Sequence, residues 1–150
     1  SPLGRARQTA DILAAPLGVD PLPDDGFKEM GFGAWENLTP AEARSAEPDV
    51  FRKIYELGMD LPRGGDGETF AAAGERMSKA LSVAVGASTG DIGVVSHGAA
   101  IRAYVVNMMD LTFEDRDRFP VPRNASLSSV RYSEPNPILV SYNVAPHMGL

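Results

Sequence analysis

Apolar and polar positions alternate with a changing period along this chain, and each change of period marks an element. From Arg5 to about Leu17, Ala6, Ala10, Leu13 and Leu17 recur at helical spacing while Arg5, Gln8 and Asp11 fall off the stripe, which predicts an amphipathic helix with Ser1 upstream as a candidate cap. Val19 to Leu22 reads as a short strand closed by the turn residues Pro23-Asp24-Asp25-Gly26. Phe27 to Asn37 is rich in glycine and aromatics without a period, so it predicts an ordered loop carrying Glu29 and Trp35. Thr39-Pro40-Ala41-Glu42 has the form of a capping box with proline at the first helical position. Pro48 ends that helix, Asp49 to Leu57 forms another, and Gly58 to Gly67 reads as a flexible loop.

The next helix has the clearest pattern. Thr69 stands near its start, Phe70, Ala73, Met77, Leu81 and Ala84 share one face, and Gly86 lies beyond its end. Asp91 to Arg102 follows, with an apolar run into a polar tip at Ser96-His97-Gly98 and then an alanine-rich segment. That is the pattern of a buried parallel strand, a tight turn and a helix. Thr112 to Arg118 predicts a short helical turn. Ala125 to Tyr132 and Ile138 to Asn143 predict a closing hairpin, with Ser133-Glu134-Pro135-Asn136-Pro137 as an irregular connection.

Composition narrows the chemistry. At 150 residues, 43% hydrophobic and 23% charged, the chain has the size and make-up of one globular domain with a real core. A formal net charge of -6 argues against a nucleic-acid or anionic-membrane surface. No cysteine is present, which excludes thiol catalysis, disulfides and thiolate metal sites, and with only His97 and His147 a multi-histidine metal site cannot form within one chain. No signal peptide or bilayer-length apolar run is visible, so a cytoplasmic location is expected. The start at Ser1-Pro2-Leu3-Gly4, without methionine and running at once into a helix, reads as a cut through a larger protein.

A histidine at the tip of a strand in an α/β sheet is placed for ligand chemistry, since helix N-termini there offer free N–H groups to an anion; taken alone, His97 reads first as a residue that only caps the turn. A nucleophilic-serine elbow is excluded because Val94 stands two before Ser96 where glycine is required. Gly64-Gly65-Asp66-Gly67 lacks the lysine and the preceding strand of a phosphate-binding loop.

Three stretches then appear in order: Ser1 to Ala10 as S-x-L-x-R-A-x-Q-T-A, Glu29 to Glu36 as E-x-x-x-G-x-W-E, and Ser96-His97-Gly98. Together they resemble the signature blocks of the histidine phosphatase superfamily, the phosphoglycerate-mutase-like proteins. Pro62 to Phe70 resembles the family's P-x-G-E-S/T-F helix entry and Asn124-Ala125-Ser126 its N-x-S strand start, so the resemblance covers almost the whole chain.

The resemblance implies an α/β fold, a three-layer α/β/α sandwich around a mostly parallel sheet, lacking the first central strand in this chain, as one domain over 1–150 with its N-terminal part missing. It implies that Arg5 binds phosphate through its guanidinium, that His97 binds the phosphoryl group and stabilises its transfer, and that Glu29 protonates the leaving oxygen. The family's nucleophile, a histidine in an R-H-G motif at the end of the first strand, matches neither His97 nor His147. The implied activity in the parent protein is hydrolysis of a phosphomonoester, such as a small sugar phosphate or phosphoglycerate derivative, through a phosphohistidine, with no metal or organic cofactor; this chain alone is expected to be inactive. The partner is a small phosphorylated metabolite, with no nucleic acid or membrane, and a homodimer is left open. The alternatives are a phosphoglycerate-type phosphomutase and a non-catalytic phosphate-binding or interaction domain. Phosphatase is favoured because the stretch from Glu29 to Gly64 is too short for a large cap. Arg7 reads as a surface charge, and His147 as a surface or disordered residue of the tail.

Overall fold

The computed structural model describes residues 1–132, 137–145 and 147. Its centre is a pair of helices, α4 (Phe70–Gly86) and α5 (Gly98–Met108), packed against each other. The apolar face expected of α4 is the one that faces inward, with Phe70, Ala73 and Met77 buried. Small residues at the crossing, Ala73 at 0% and Ala103 at 1% exposure, let the helices approach closely. On one side Met30, Trp35, Ile54, Phe70 and Phe113 form a cluster, with the Phe70 and Phe113 rings 5.4 Å apart. On the other, Phe27, Met77, Ala100, Tyr104 and Val105 form a second. Burial of such side chains stabilises by about 1.5–3 kcal/mol each.

The caps follow the sequence where the signal is local. α2 (Pro40–Ala46) carries the expected capping box between Thr39 and Glu42, and α3 (Pro48–Tyr55) starts on Pro48. Thr69 caps α4 by accepting from the Ala72 N–H at 3.1 Å. Asp60 adds a cap that the pattern did not disclose: its carboxylate accepts from the Phe70 and Ala71 N–H groups, each at 2.8 Å, two of the donors a helix start leaves unpaired. The 3-10 turn Phe113–Arg118 stands where a helical turn is expected.

Several expectations change. α1 (Gly4–Ala14) forms, but Leu3 is its N-cap residue and Ser1 does not cap it; the Ser1 hydroxyl instead accepts from the Leu3 N–H at 3.3 Å. Its buried face is Ala6 and Ala14, while Leu13 and Leu17 are 57% and 73% exposed, because no element among the described residues covers that side. Val19 to Leu22 and Ile92 to Ser96 form no strand, since neither pairs with another strand among the described residues. The sheet among the described residues is therefore the antiparallel hairpin alone, β1 (Leu127–Arg131) and β2 (Ile138–Val144), with Leu127 opposite Val144 and Arg131 opposite Ile138. Residues 133–136 of its predicted connection lie outside the described residues.

The Gly58 to Gly67 segment is pinned. Arg63 is buried against Asp60 at 2.9 Å and over the Phe113 ring, and Gly64 packs on the 32–35 loop. At φ +56° a side chain on Gly64 would be strained, and its first carbon would lie 2.5 Å from Ala34 N. Among the described residues, no helix is long and apolar enough to cross a membrane.

Candidate active site

His97 is the residue before α5, extended at φ -130° and ψ 163°. Its ring makes no capping bond to the helix, which removes the turn-cap reading; it is buried, and Nε2 lies 2.8 Å from the Ser1 hydroxyl oxygen. Burial lowers its pKa below the ordinary histidine value, opposed by the negative charge of Glu29 and assisted by the positive charges of Arg5 and Arg76. The ring is thus held toward its neutral form by its surroundings.

The helix start that His97 does not cap is capped by Glu29. Its Oε1 accepts from the Ala100 N–H at 2.9 Å and from its neighbour Met30 N–H at 2.9 Å, and Oε2 has only a long contact to the Ala99 N–H at 3.4 Å. A carboxylate here also complements the positive end of the helix dipole. Arg5, in the first turn of α1, is exposed and close enough to act on His97 electrostatically. Glu29, His97 and Arg5, 68 or more residues apart around His97 in sequence, are therefore brought to one end of α5.

The loop that carries Glu29 is held by residues whose roles the pattern did not reveal. Arg76 donates from Nε and Nη2 to the two oxygens of Glu68, both at 2.8 Å, and its Nη1 donates to the carbonyls of Gly26 at 2.8 Å and Lys28 at 3.2 Å. Nη2 also reaches the Glu29 carbonyl at 3.4 Å. Glu68 accepts in turn from the Gly31 N–H at 2.9 Å, and the Ser96 hydroxyl donates to the Phe27 carbonyl at 2.9 Å. Hydrogen bonding from Arg76 holds the Glu68 carboxyl below the usual carboxylate range, and Glu68 raises the Arg76 guanidinium. The available signal was an arginine bordering the buried stripe, next to Met77.

Other candidates stay apart. Arg7 pairs with Asp11 at 2.9 Å on the surface, His147 is exposed, and Glu36 accepts from the Phe32 N–H at 2.8 Å. A cleft of about 450 Å³ beside Phe70 and Asn107, and another of about 240 Å³ beside Trp35 and Phe51, include none of His97, Glu29 and Arg5.

A buried histidine before the first turn of α5 and a glutamate that caps the same helix thus stand together at one end of it. The chain matches the histidine phosphatase superfamily (branch 1) over residues 1–145, and it belongs to that family. It is 33% identical over 135 residues to the protein named probable phosphoglycerate mutase GpmB of Yersinia pestis (strain Pestoides F), covering 89% of this chain and 62% of the relative, so the chain spans less than two thirds of that protein's length. Its fold is similar to that of Bacillus stearothermophilus YhfR, with a TM-score of 0.85 at 21% identity, over 99% of this chain and 73% of that one. It is also similar to a mycobacterial glucosyl-3-phosphoglycerate phosphatase solved with inorganic phosphate, with a TM-score of 0.80 at 22% identity, over 97% of this chain and 75% of that one.

Replacing Arg76 by Met should destabilise the protein by about 1–3 kcal/mol, because Glu68 and the loop carbonyls lose a charged donor. Urea titration measures this. A loss no larger than that of a surface arginine such as Arg7→Met would show that the loop is held by its packing alone.

Proposed function

We propose that the intact protein hydrolyses a small phosphomonoester, a sugar phosphate or phosphoglycerate derivative, through a phosphohistidine intermediate. The observation that carries this reading is the meeting of Glu29, His97 and Arg5 at the N-terminal end of α5. In this reading Arg5 and His97 bind the phosphoryl oxygens, with the planar guanidinium suited to a bidentate contact. The phosphoryl group passes from the ester oxygen to a histidine nitrogen supplied by an R-H-G segment upstream of Ser1, and Glu29 gives its proton to the departing oxygen. Water then attacks the phosphohistidine, phosphate leaves, and Glu29 recovers the proton. In this reading Oε2, which has only the long contact to the Ala99 N–H, is the oxygen that would carry that proton.

The same proposal assigns the chain to one domain and Ile92 to Ser96 to a central strand of a mostly parallel sheet within a three-layer sandwich, beside an upstream first strand. Ile12, Leu13, Leu17, Val19, Leu22 and Ile92 are exposed, a set of apolar side chains that such a strand and its neighbours would cover. Among the described residues, the main chain of 91–96 makes one hydrogen bond, from the Ser1 nitrogen to the Val95 carbonyl at 2.9 Å, so chain leading into Ser1 would run alongside it.

α2 and α3 have only 7 and 8 residues, which supports a small cap that leaves water free to attack. A phosphomutase is the second reading, favoured by the name of the 33% identical relative. The test uses the intact protein. It should hydrolyse p-nitrophenyl phosphate, and Arg5→Ala should weaken vanadate binding about 10- to 100-fold through loss of a charge-assisted contact. Unchanged vanadate affinity would remove Arg5 from the pocket, and exclusive transfer between two hydroxyls of one substrate, without release of phosphate, would favour the mutase.

A further inference from the structure

We infer that Arg76 is a positioning residue for the proton donor: with Glu68 it holds the main chain of the 26–31 loop, so that Glu29 keeps its place at the start of α5 while it carries the proton. The inference rests on the phosphomonoester reading above and deepens it.

Arg76 is a partly buried residue of α4 whose charge acts on both His97 and Glu29. That position alone would suit a phosphate-binding arginine, but its hydrogen bonds exclude the role. A guanidinium has five N–H donors, and each has an acceptor within the protein. Nε and one N–H of Nη2 go to the two oxygens of Glu68, the pair on Nη1 to the carbonyls of Gly26 and Lys28, and the remaining N–H of Nη2 to the Glu29 carbonyl at 3.4 Å. No edge of the fork is left for a phosphoryl oxygen. What it grips is main chain, on either side of the Glu29 α-carbon. Ser96, next to His97, holds the Phe27 carbonyl, Glu29 Oε1 holds the Met30 N–H, and Glu68 holds the Gly31 N–H. Every residue from Gly26 to Gly31 thus has a main-chain group bonded to a side chain.

The working state of Glu29 makes this hold necessary. As a carboxylate, Glu29 is also anchored through its side chain, because Oε1 accepts from the Ala100 N–H and negative charge suits a helix start. A general acid, however, is protonated when the ester bond breaks, and a neutral carboxyl makes such a bond about half as strongly as an ionised one. The anchor on α5 therefore weakens at the step that uses Glu29. The bonds from Arg76 go to loop carbonyls and persist whether or not Glu29 carries its proton. Hydrogen bonding from Arg76 in turn holds the Glu68 carboxyl below the usual carboxylate range, so the pair that grips the loop stays ionised at neutral pH. A displacement of about 1 Å in a reacting group lowers its rate by about 10²-fold, which sets the scale of what the grip protects.

The test uses the intact protein and two esters of the same shape, phenyl phosphate, whose leaving oxygen is basic, and p-nitrophenyl phosphate, whose leaving oxygen needs little protonation. Arg76→Met should lower kcat for phenyl phosphate by about 10- to 100-fold. Its kcat for p-nitrophenyl phosphate should stay within about threefold, and its affinity for vanadate within about twofold. In a Glu29→Gln background the same substitution should change phenyl phosphate turnover by no more than about twofold, because the proton it positions is already gone. Arg76→Lys should restore little, since an ammonium lacks the planar fork. Should Arg76→Met fail to fold, Glu68→Gln, which keeps the side-chain shape and removes one acceptor, is expected to show the same selective loss. Unchanged turnover of phenyl phosphate, equal slowing of both esters, vanadate binding weakened in step with turnover, or an undiminished loss in the Glu29→Gln background overturns the inference and leaves the phosphomonoester reading standing. A wild type that does not hydrolyse p-nitrophenyl phosphate overturns both.

Discussion

The 150-residue chain by itself is expected to show no phosphatase turnover, on the order of a millionfold below the intact protein, the usual loss when a covalent mechanism is deprived of its nucleophile. The reason lies in which groups are present. Arg5 and His97 can bind and polarise a phosphoryl group and Glu29 can protonate a leaving oxygen, but in the proposed mechanism none of them attacks phosphorus. His97 is buried and bonded to Ser1, and His147 is exposed at the far end of the chain. The measurement is hydrolysis of p-nitrophenyl phosphate by the 150-residue chain and by a protein that includes the upstream segment, at equal concentration. Clear turnover by the shorter chain would sink the reading and force a search for a nucleophile within these residues.

The second large effect concerns the proton. In the intact protein Glu29→Gln keeps the shape of the side chain and an oxygen able to accept from the α5 N–H groups, while removing the transferable proton. Turnover of alkyl phosphates should fall by about 10²–10⁴, the usual contribution of a general acid. Activated aryl phosphates should be largely spared, because their leaving oxygen needs little protonation. A plot of rate against leaving-group pKa for the two proteins carries the result: a steeper dependence in Glu29→Gln is expected. Equal slowing of alkyl and aryl esters would mean that Glu29 acts only as the cap of α5, and Glu36 would be the next carboxylate to try.

Local interactions were legible in the sequence because their causes lie within a few residues. The capping box of Thr39 and Glu42, the start of α3 at Pro48, the inward face of α4 through Phe70, Ala73 and Met77, and the antiparallel hairpin near residues 125–143 are each set by spacing over one or two turns or strands. The order of the S-x-L-x-R, E-x-x-x-G-x-W-E and S-H-G blocks likewise sufficed to place the chain in its family. Strand pairing was not legible in the same way. Apolar runs at Val19 to Leu22 and Ile92 to Ser96 carry strand composition, yet a strand exists only where another strand satisfies its N–H and C=O groups, and none does so among the described residues. Nor does an apolar stripe by itself decide burial, as Leu13 and Leu17 show on the open side of α1. The supports of the site were hidden for a related reason: Arg76, Glu68 and Ser96 act on carbonyls and amides of the 26–31 loop, up to 69 residues away. The tertiary structure alone decided that Glu29 rather than His97 caps α5, because that bond joins residues 71 apart and depends on how the loop is clamped.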